Sequence, residues 1–494
     1  MPIPDLSASP RPGELKQKQL AQADYGFSSP FLLTLAQHEQ VLICEKVVRL
    51  IPKKRMVVFG YWNHQAIVAK IFFSRHAKQH LQRELQGVQA LKRAKIPSPT
   101  LLHTDASPDK AIQLLIFERI ENADNLENVW QQYKFSPESE IPLRALTIEL
   151  ATQHVLGLEQ ADLHLKNFLV TSEKIYTLDG SSIRTHDSSL SKKQSLENLA
   201  LFFSQLGIHR HQLQYRLFQV YIHARGWLIK KSDLHFLQKA IRHWNNTRWL
   251  DYSKKIFRSS TPFAKIKNRR FFSLCDRAYL SPAFRQVLEQ PDTVFAKTET
   301  VILKAGRTST VACFQVDQHK LVIKRYNRKG FWHRLSLIFK RSRARLSWRL
   351  AHQLRFVGLP TAKPVAFIEK RFLGLGRETY FVMEYVEGLG AATFFDAQSA
   401  ESKQGIAIAK RIITLFVNLA RLRLSHGDLK ITNILLNAKR EPVLIDLDGM
   451  REHRSSRQLR QYFNKDLERF LENWQKKPDW HQLFQGLIRD MKRV

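Results

Sequence analysis

The sequence predicts an α+β protein of two tandem domains, each with a small β-rich N-lobe and a mainly helical C-lobe. The first observation is an internal repeat, because the pattern of residues 425–448 recurs with the same spacing in residues 160–180. The second is that strand-like runs precede each copy, at residues 47–73 and 301–326. The third is helix-like periodicity after the first copy, as in residues 196–206.

The second copy contains the groups that phosphoryl transfer needs. It reads SHGDLKITN and then PVLIDLD. Asp428 and Asn433 have the D-x-x-x-x-N spacing of a kinase catalytic loop, in which the carboxylate accepts a proton and the amide holds a metal. Asp446 ends the next strand, where a second metal-binding carboxylate is expected. Taken singly, each motif also fits a helix cap or a strand end, but together and in this order they indicate a kinase.

The first copy repeats these groups. It reads QADLHLKNFLV and then IYTLDG, so Asp162, Asn167 and Asp179 stand at the positions of the three residues above. The chain is therefore predicted to contain two tandem protein-kinase-like domains. The expected organisation is a flexible N-terminal arm over residues 1–30, domain 1 over 31–253, a basic linker over 254–293 and domain 2 over 294–494.

Each N-lobe has a strand lysine placed to contact nucleotide phosphates. Lys70 is the first, and Glu84 in the helical stretch that follows is expected to pair with it and hold it extended. Lys324 is its counterpart, but no Asp or Glu occurs between Lys324 and Ile368. The position of Glu84 falls near Ser347 in the second half, so Lys324 must be held by some other group.

The two halves differ in other ways. Lys430 is expected to offset charge on the transferring phosphoryl group, whereas the first copy has His164 at that position. Each half has a single glycine, Gly60 or Gly306, where protein kinases have a glycine-rich loop. Nucleotide binding is therefore expected to be weaker or to rely on other backbone groups.

The composition limits the partners. At 494 residues, with 44% hydrophobic residues, the chain is long enough for two domains with their own cores. Its 79 Lys and Arg against 44 Asp and Glu give a charge of +35, which attracts a polyanion. The three cysteines lie far apart and predict neither a disulfide framework nor a zinc site. No secretory signal and no apolar run long enough to span a bilayer is found, so we expect a cytoplasmic protein, soluble or on the membrane face.

Basic residues cluster with aromatic ones in two stretches. Residues 324–349 contain ten Lys or Arg and no acid, interleaved with residues such as Trp332 and Trp348. Residues 254–270 contain seven and no acid, with Phe257 among them. This composition is typical of a helix on an anionic membrane surface. Contact with a membrane or an acidic glycan is therefore favoured over a solvated helix, and nucleic acid is the least favoured partner because no recognition motif is found.

These motifs carry a family resemblance. HGDLKITNILL and VLIDLDGM, preceded by a Lys-Arg-Tyr strand and by SRAR, resemble the lipopolysaccharide core kinases, the heptose and Kdo kinases of Gram-negative bacteria. The first half, with MVVFGYWNHQAIVAKIFF, resembles more distant members. The resemblance implies that ATP and Mg²⁺ are used to phosphorylate a sugar hydroxyl of the inner core. It also implies a peripheral position on the inner face of the cytoplasmic membrane, with lipopolysaccharide core or another acidic glycolipid as the partner.

The expected roles follow from the motifs. Asp428 orients and deprotonates the hydroxyl, Asn433 and Asp446 bind Mg²⁺, and Lys324 holds the nucleotide phosphates. In the first half the corresponding residues are Asp162, Asn167, Asp179, Lys70 and Glu84.

Two other functions stay open from the sequence. A cytoplasmic small-molecule kinase shares the loop but does not need the basic aromatic stretches. A non-catalytic kinase-like scaffold on an anionic membrane or glycolipid keeps the basic surface and tolerates the loss of Asp428. A protein substrate is less favoured, because the 48 residues after Asp446 are too few for an activation loop and a full protein-kinase C-lobe.

Overall fold

The chain forms two compact units, each of which mixes helices and strands. The computed structural model describes residues 19–20, 27, 29–37, 41–133, 138, 140–208, 210–327, 342–372 and 375–493. Most of the expected N-terminal arm and residues 328–341 of the first basic stretch lie outside these residues. The first unit comprises Met1–Leu206 and Arg210–Asn245, and the second comprises Gly207–His209 and Asn246–Val494. This mixture of helices and strands is compatible with the predicted α+β class.

The first unit begins with an antiparallel sheet of six strands in the order β1-β2-β3-β4-β6-β5. Leu50, Met56 and Ile71 lie side by side on adjacent strands and are buried in the core on one face. Because side chains alternate along a strand, Lys70 points to the opposite face. The strands of this sheet, with the helix that connects β4 to β5, are β1 (Phe31–Thr34), β2 (Val41–Ile51), β3 (Arg55–Trp62), β4 (Gln65–Phe72), α1 (Ala77–Arg93), β5 (Leu101–Ala106) and β6 (Gln113–Glu118).

The rest of the first unit is mainly helical. Its core contains Leu150 of the long helix α3 together with Phe202 and Phe218 of later helices. The elements are β7 (Asp124–Asn125), α2 (Leu126–Tyr133), α3 (Glu140–Val155), β8 (Leu158–Gln160), β9 (Phe168–Val170), β10 (Ile175–Thr177), β11 (Ile183–Thr185), α4 (Lys192–Phe203), α5 (His211–Ala224) and α6 (Lys231–Lys255), within which the division between the units falls.

The second unit begins with an antiparallel sheet of seven strands in the order β12-β13-β17-β18-β16-β15-β14. The elements of this part are β12 (Phe263–Lys267), β13 (Phe271–Asp276), α7 (Pro282–Glu289), α8 (Thr293–Ala296), β14 (Val301–Ala305), β15 (Ser309–Val316), β16 (His319–Tyr326), α9 (Arg343–Phe356), β17 (Pro364–Phe372) and β18 (Leu375–Glu384).

Residues 254–293, expected to form a basic linker, instead contain two strands of this sheet. β12 pairs with β13, and β13 pairs with β17. The basic residues that suggested a linker, Lys265 and Lys267, lie at exposed positions of β12, whereas Phe263 is buried. The apolar residues between the cations therefore form part of the core.

The remaining elements of the second unit are mainly helices around an aromatic cluster. Phe395 contacts Trp480 with ring centroids 4.7 Å apart, and Trp474 stacks on Phe484. No helix within the described ranges is long and apolar enough to cross a membrane. The elements are β19 (Gly388–Gly390), α10 (Ala391–Asp396), α11 (Lys403–Arg421), β20 (Leu424–Ser425), β21 (Ile434–Asn437), β22 (Pro442–Leu444), β23 (Arg451–Glu452), α12 (Ser456–Glu472) and α13 (Pro478–Arg493).

Candidate active site

The second unit brings Asp428 and Asn433 together. The loop that follows β20 carries both residues and leads into the β21–β22 hairpin, in which Ile434 pairs with Leu444. Asn433 Nδ2 donates to Asp428 O at 2.9 Å and lies 3.4 Å from Asp428 Oδ2. This bond orients the amide and leaves Asn433 Oδ1 as its acceptor atom, which is the kind of atom that ligates Mg²⁺.

Two cations flank the Asp428 carboxylate. Lys430 Nζ lies 3.0 Å from Asp428 Oδ1, and Arg469 Nη1 lies 3.1 Å from the same oxygen. Arg469 also donates to Gly427 O at 3.0 Å. The Asp428 side chain stays 38% exposed, so a substrate hydroxyl can reach it. Lys430 was predicted for this site, whereas Arg469 on α12 was not.

A buried aspartate on α12 holds the backbone of the catalytic loop. Asp466 is 3% exposed and accepts from His426 N at 2.6 Å and from Gly427 N at 2.9 Å. Burial raises the pKa of Asp466, and these two N–H bonds oppose the rise. Burial also lowers the pKa of His426, whose Nε2 lies 3.1 Å from Ile445 O. A neutral imidazole that donates from Nε2 fits both observations.

Gly427 has a backbone conformation that other residues rarely adopt. Its φ is +80°, and a Cβ at this position would lie 2.3 Å from Gly449 O. The loop and the turn after Asp446 are therefore in direct backbone contact. The first unit has Ala161 at the position of Gly427, so this approach is a property of the second unit.

Two aspartates hold Lys324 in the absence of a helix glutamate. Lys324 Nζ pairs with Asp446 Oδ1 and lies 3.4 Å from Asp448 Oδ1. Asp448 Oδ2 in turn accepts from Arg343 Nε at 2.6 Å. Ser347, at the position expected for a glutamate, is buried and bonds to the hydroxyl of Tyr326 instead. Asp448 and Arg343 lay within the motifs DLD and SRAR, but neither was predicted as a site residue.

The pKa values of the two aspartates are shifted in opposite directions. Burial raises the pKa of both carboxyls. At Asp446 the hydrogen bond with Asp448 and the charge of Lys324 outweigh burial and hold the pKa well below its ordinary value. At Asp448 the neighbouring Asp446 adds to burial, so its pKa lies above its ordinary value. Asp446, whose pKa is lowered, is thus the better suited of the two carboxylates to ligate a cation. Its backbone is left-handed, with φ +61°, which aspartate tolerates better than most residues.

The first unit places its lysine as the sequence predicts. Lys70 Nζ pairs with Glu84 Oε1 and donates to Leu178 O at 2.8 Å. Glu84 is fully buried and its Oε1 also accepts from Gly180 N at 3.0 Å. The helix can approach this closely because a Cβ on Gly87 would lie 1.8 Å from Gly180 O. A carboxylate on α1 therefore links the strand lysine to the turn that follows Asp179.

The catalytic loop of the first unit has the same outline but other partners. Asn167 Nδ2 donates to Asp162 O at 2.9 Å, as in the second unit. His164 Nε2 lies 3.1 Å from Asp162 Oδ1. This bond lowers the pKa of Asp162, and burial opposes it. Asp179 Oδ1 accepts from Ser181 Oγ at 2.7 Å. The carboxylate of Asp162 therefore pairs with one histidine, whereas that of Asp428 pairs with a lysine and an arginine.

The loop backbone is also held differently in the first unit. Asn198 on α4 donates from Nδ2 to Gln160 O at 2.8 Å. His426 stands at the position of Gln160 in the second unit. There the direction of the bond is reversed, because Asp466 on α12 accepts from the backbone N–H of His426.

The predicted metal ligands form a small oxygen-donor set in each unit. Among the described residues, no cluster of three or more His, Cys, Asp or Glu side chains is arranged to hold a metal ion. The predicted sets need only one carboxylate and one amide, from Asp446 with Asn433 and from Asp179 with Asn167. Both groups are hard oxygen ligands that fit Mg²⁺, which keeps several waters and phosphate oxygens in its coordination sphere.

The comparisons with known proteins agree with the repeat. A sequence model of the lipopolysaccharide kinase (Kdo/WaaP) family matches residues 61–221 and again residues 293–487, and all ten predicted site residues lie within these ranges. No curated protein matches the chain. The two matches cover most of the sequence, one in each half, which is consistent with the predicted tandem arrangement. Members of this family are kinases. This chain, with two matching halves, belongs to the lipopolysaccharide kinase (Kdo/WaaP) family.

Proposed function

We propose that the chain transfers phosphate from ATP to a sugar hydroxyl, of heptose or Kdo, in the inner core of lipopolysaccharide. The observation that carries this proposal is the setting of Asp428, which lies 3.0 Å from Lys430 and 3.1 Å from Arg469 and is bonded to Asn433. A carboxylate in this setting can accept a proton, and the cations beside it can stabilise the charge of a phosphoryl group.

The proposed step uses Asp428 as the base. Asp428 orients the hydroxyl and takes its proton while the hydroxyl oxygen bonds to the γ-phosphorus. The bond from the γ-phosphorus to the bridging oxygen breaks, and ADP leaves with that electron pair. Lys430 and Arg469 offset the charge of the transferring group. Asn433 and Asp446 would hold Mg²⁺, which would neutralise charge on the nucleotide phosphates.

Lys324 holds the nucleotide phosphates in this proposal. Its side chain is 7% exposed and is kept extended by Asp446 and Asp448. A lysine fixed in this way loses little conformational entropy when it binds a phosphate.

The first unit holds a second site with the same classes of group. Lys70 and Glu84 form its lysine–carboxylate pair, and Asp162, Asn167 and Asp179 supply its base and metal ligands. His164 lies beside this base, where the second unit has Lys430 and Arg469, so transfer by the first unit is expected to be slower.

The acceptor is an acidic glycolipid, and the proposal includes contact with the inner face of the cytoplasmic membrane. The charge of +35 supports this, because it attracts both a phosphorylated glycan and anionic lipid. Lys265 and Lys267 are exposed at one edge of the second sheet and are available for such contact.

The test is transfer of labelled phosphate from ATP to dephosphorylated lipopolysaccharide core. It compares the wild type with Asp428→Asn, Asp162→Asn and the double variant. Asp490→Asn is the matched control, because Asp490 is an exposed aspartate on α13. Asp428→Asn is expected to lower the rate at least about a hundredfold through the loss of the base. Asp162→Asn is expected to remove a smaller part, and the control none.

Other results would point to the alternatives. Phosphate transfer that survives in the double variant would show that neither Asp428 nor Asp162 is the catalytic base. ATP hydrolysis without transfer to the core, together with failure to co-sediment with anionic vesicles, would indicate a cytoplasmic small-molecule kinase. The absence of nucleotide binding would leave the non-catalytic scaffold.

A further inference from the structure

We propose that Lys304 on β14 and Arg49 on β2, each on the first strand of the hairpin that precedes the strand of the phosphate-binding lysine, bind the phosphates of the nucleotide. The inference rests on the proposed use of ATP and adds one binding residue to each unit.

Lys304 lies in line with the predicted phosphate-binding lysine of the second unit. It pairs with Val311 on β15, Val311 pairs with Lys324 on β16, and Lys324 pairs with Phe381 on β18. Residues directly opposite in an antiparallel sheet point to the same face. Lys304 and Lys324 therefore face the same side, two strands apart, which is about 10 Å at the usual strand spacing.

Arg49 occupies the same place in the first unit. It pairs with Val57 on β3, and Val57 pairs with Lys70 on β4. Their neighbours Leu50 and Met56 point to the opposite face and are buried in its core. Both units thus have a row that reads cation, valine, lysine across three strands.

The charges of the proposed base and metal ligand also influence Arg49. Burial and Arg55 lower the pKa of Arg49, whereas Asp179 and Asp162 oppose this shift. A cation on the face of the sheet that carries Lys70 is suitably placed for the nucleotide phosphates that Lys70 is proposed to bind.

The hairpin beside each row offers little backbone for phosphate binding. In the first unit the turn between β2 and β3 is Pro52-Lys53-Lys54 and contains no glycine. Gly60, expected in a phosphate loop, lies within β3, where a Cβ would be 1.9 Å from Ile43 O. Gly306 does begin the turn of the second unit, but it is a single glycine. Side-chain cations can supply the phosphate donors that a glycine-rich loop would otherwise provide.

A simpler explanation is that these cations only protect the edge of a sheet. A charged residue on an edge strand often serves to prevent association between sheets. β14 is an edge strand, and among the described residues β1 pairs only with Val41–Cys44 of β2, so Arg49 also lies beyond the paired part of its strand. Edge protection requires no particular alignment, however, whereas both cations lie in line with the strand lysine of their own sheet. This shared alignment favours a common ligand.

The test is the affinity of the full chain for nucleotides, measured by displacement of a fluorescent ATP analogue with ATP, ADP and adenosine in the presence of Mg²⁺. Lys304→Gln is measured in a Lys70→Met background and Arg49→Gln in a Lys324→Met background, so that each unit is observed alone. The matched controls are Arg489→Gln, exposed on α13 of the second unit, and Arg83→Gln, exposed on α1. Lys304→Arg and Arg49→Lys test whether the charge suffices.

Each glutamine variant is expected to weaken ATP binding about tenfold, the usual size of one charge-assisted hydrogen bond. Binding of adenosine should be unchanged, which also shows that the variant is folded. The charge-retaining variants and the controls should stay within about twofold of their backgrounds.

Equal losses for ATP and adenosine, or unchanged ATP affinity in both glutamine variants, would overturn the inference while the proposed function stands. If the unsubstituted chain binds no ATP, the proposed function fails and this inference fails with it.

Discussion

Lys324 Nζ lies 3.4 Å from Asp448 Oδ1, and the other oxygen of the same carboxylate accepts from Arg343 Nε at 2.6 Å. Asp448 therefore connects the strand lysine to α9, the helix that contains no acid. In the first unit Glu84 on α1 makes the corresponding connection. In each unit a carboxylate holds the strand lysine. In the first unit this carboxylate lies on helix α1, whereas in the second unit it lies after the β21–β22 hairpin.

Asp448→Asn should therefore impair the second site without unfolding the unit. The asparagine keeps the size but removes the charge that Lys324 and Arg343 share, so kcat/KM for ATP is expected to fall about tenfold. Steady-state kinetics on the lipopolysaccharide core acceptor would measure this. Glu452→Gln is the matched control, because Glu452 pairs with Arg349 of the same helix at 2.8 Å but lies outside the site. Equal losses in the two variants would contradict a specific role of Asp448.

The parts of the site that are local in sequence could be predicted. Asp428 and Asn433 are joined by a short loop whose spacing fixes their contact, and Lys70 and Glu84 lie on consecutive elements. Arg343 and Asp448 are 105 positions apart, so no spacing could relate them. Arg469 likewise meets Asp428 only because α12 packs against β20.

The same limit applies to the domain boundary. Lys265 and Lys267 make β12 resemble a solvated linker by composition, yet their neighbours Phe263 and Ala264 are buried. Edge strands often carry charges on their exposed positions, so composition alone does not separate an edge strand from a linker.

Asp466→Asn should loosen the catalytic loop. An asparagine has only one acceptor oxygen, whereas Asp466 accepts from both His426 N and Gly427 N. We expect a loss of about 2 kcal/mol in the free energy of unfolding of the second unit, the usual cost of a buried charged hydrogen bond. We also expect a fall in kcat with little change in ATP affinity. Urea unfolding and steady-state kinetics would measure these effects. Glu468→Gln, exposed on the same helix, should change neither quantity.

Gly427→Ala should abolish transfer by the second unit. The alanine Cβ would lie 2.3 Å from Gly449 O at a φ of +80°, so the loop has to move away from the turn that follows Asp446. The distance between the base and the metal ligand then changes, which transfer does not tolerate. The measurement is phosphate transfer in an Asp162→Asn background, with Gly486→Ala as control, because a Cβ on Gly486 meets no atom within 4 Å. Full activity of Gly427→Ala would show that the loop does not need this conformation.

Acid should destabilise the first unit through His154. Its Nδ1 lies 2.7 Å from the hydroxyl of Tyr221 and its Nε2 lies 3.0 Å from Asn198 Oδ1, a set of partners that suits the neutral ring. Burial lowers the pKa of His154 to about 4. The unfolded chain, with an ordinary pKa near 6.5, therefore binds the proton first as the pH falls. The contribution is complete above about pH 6.5 and is lost between there and about pH 4.

The expected loss between pH 7.5 and pH 5 is about 2 kcal/mol in the free energy of unfolding. Urea unfolding at the two pH values, followed by tryptophan fluorescence, would measure it in the wild type and in His154→Gln. Glutamine can accept from Tyr221 and donate to Asn198 but does not titrate, so this variant should show a smaller loss at pH 5 than the wild type does. His223→Gln, exposed on the helix that carries Tyr221, should behave like the wild type. If His154→Gln and the wild type lose the same stability, another group accounts for the sensitivity to acid.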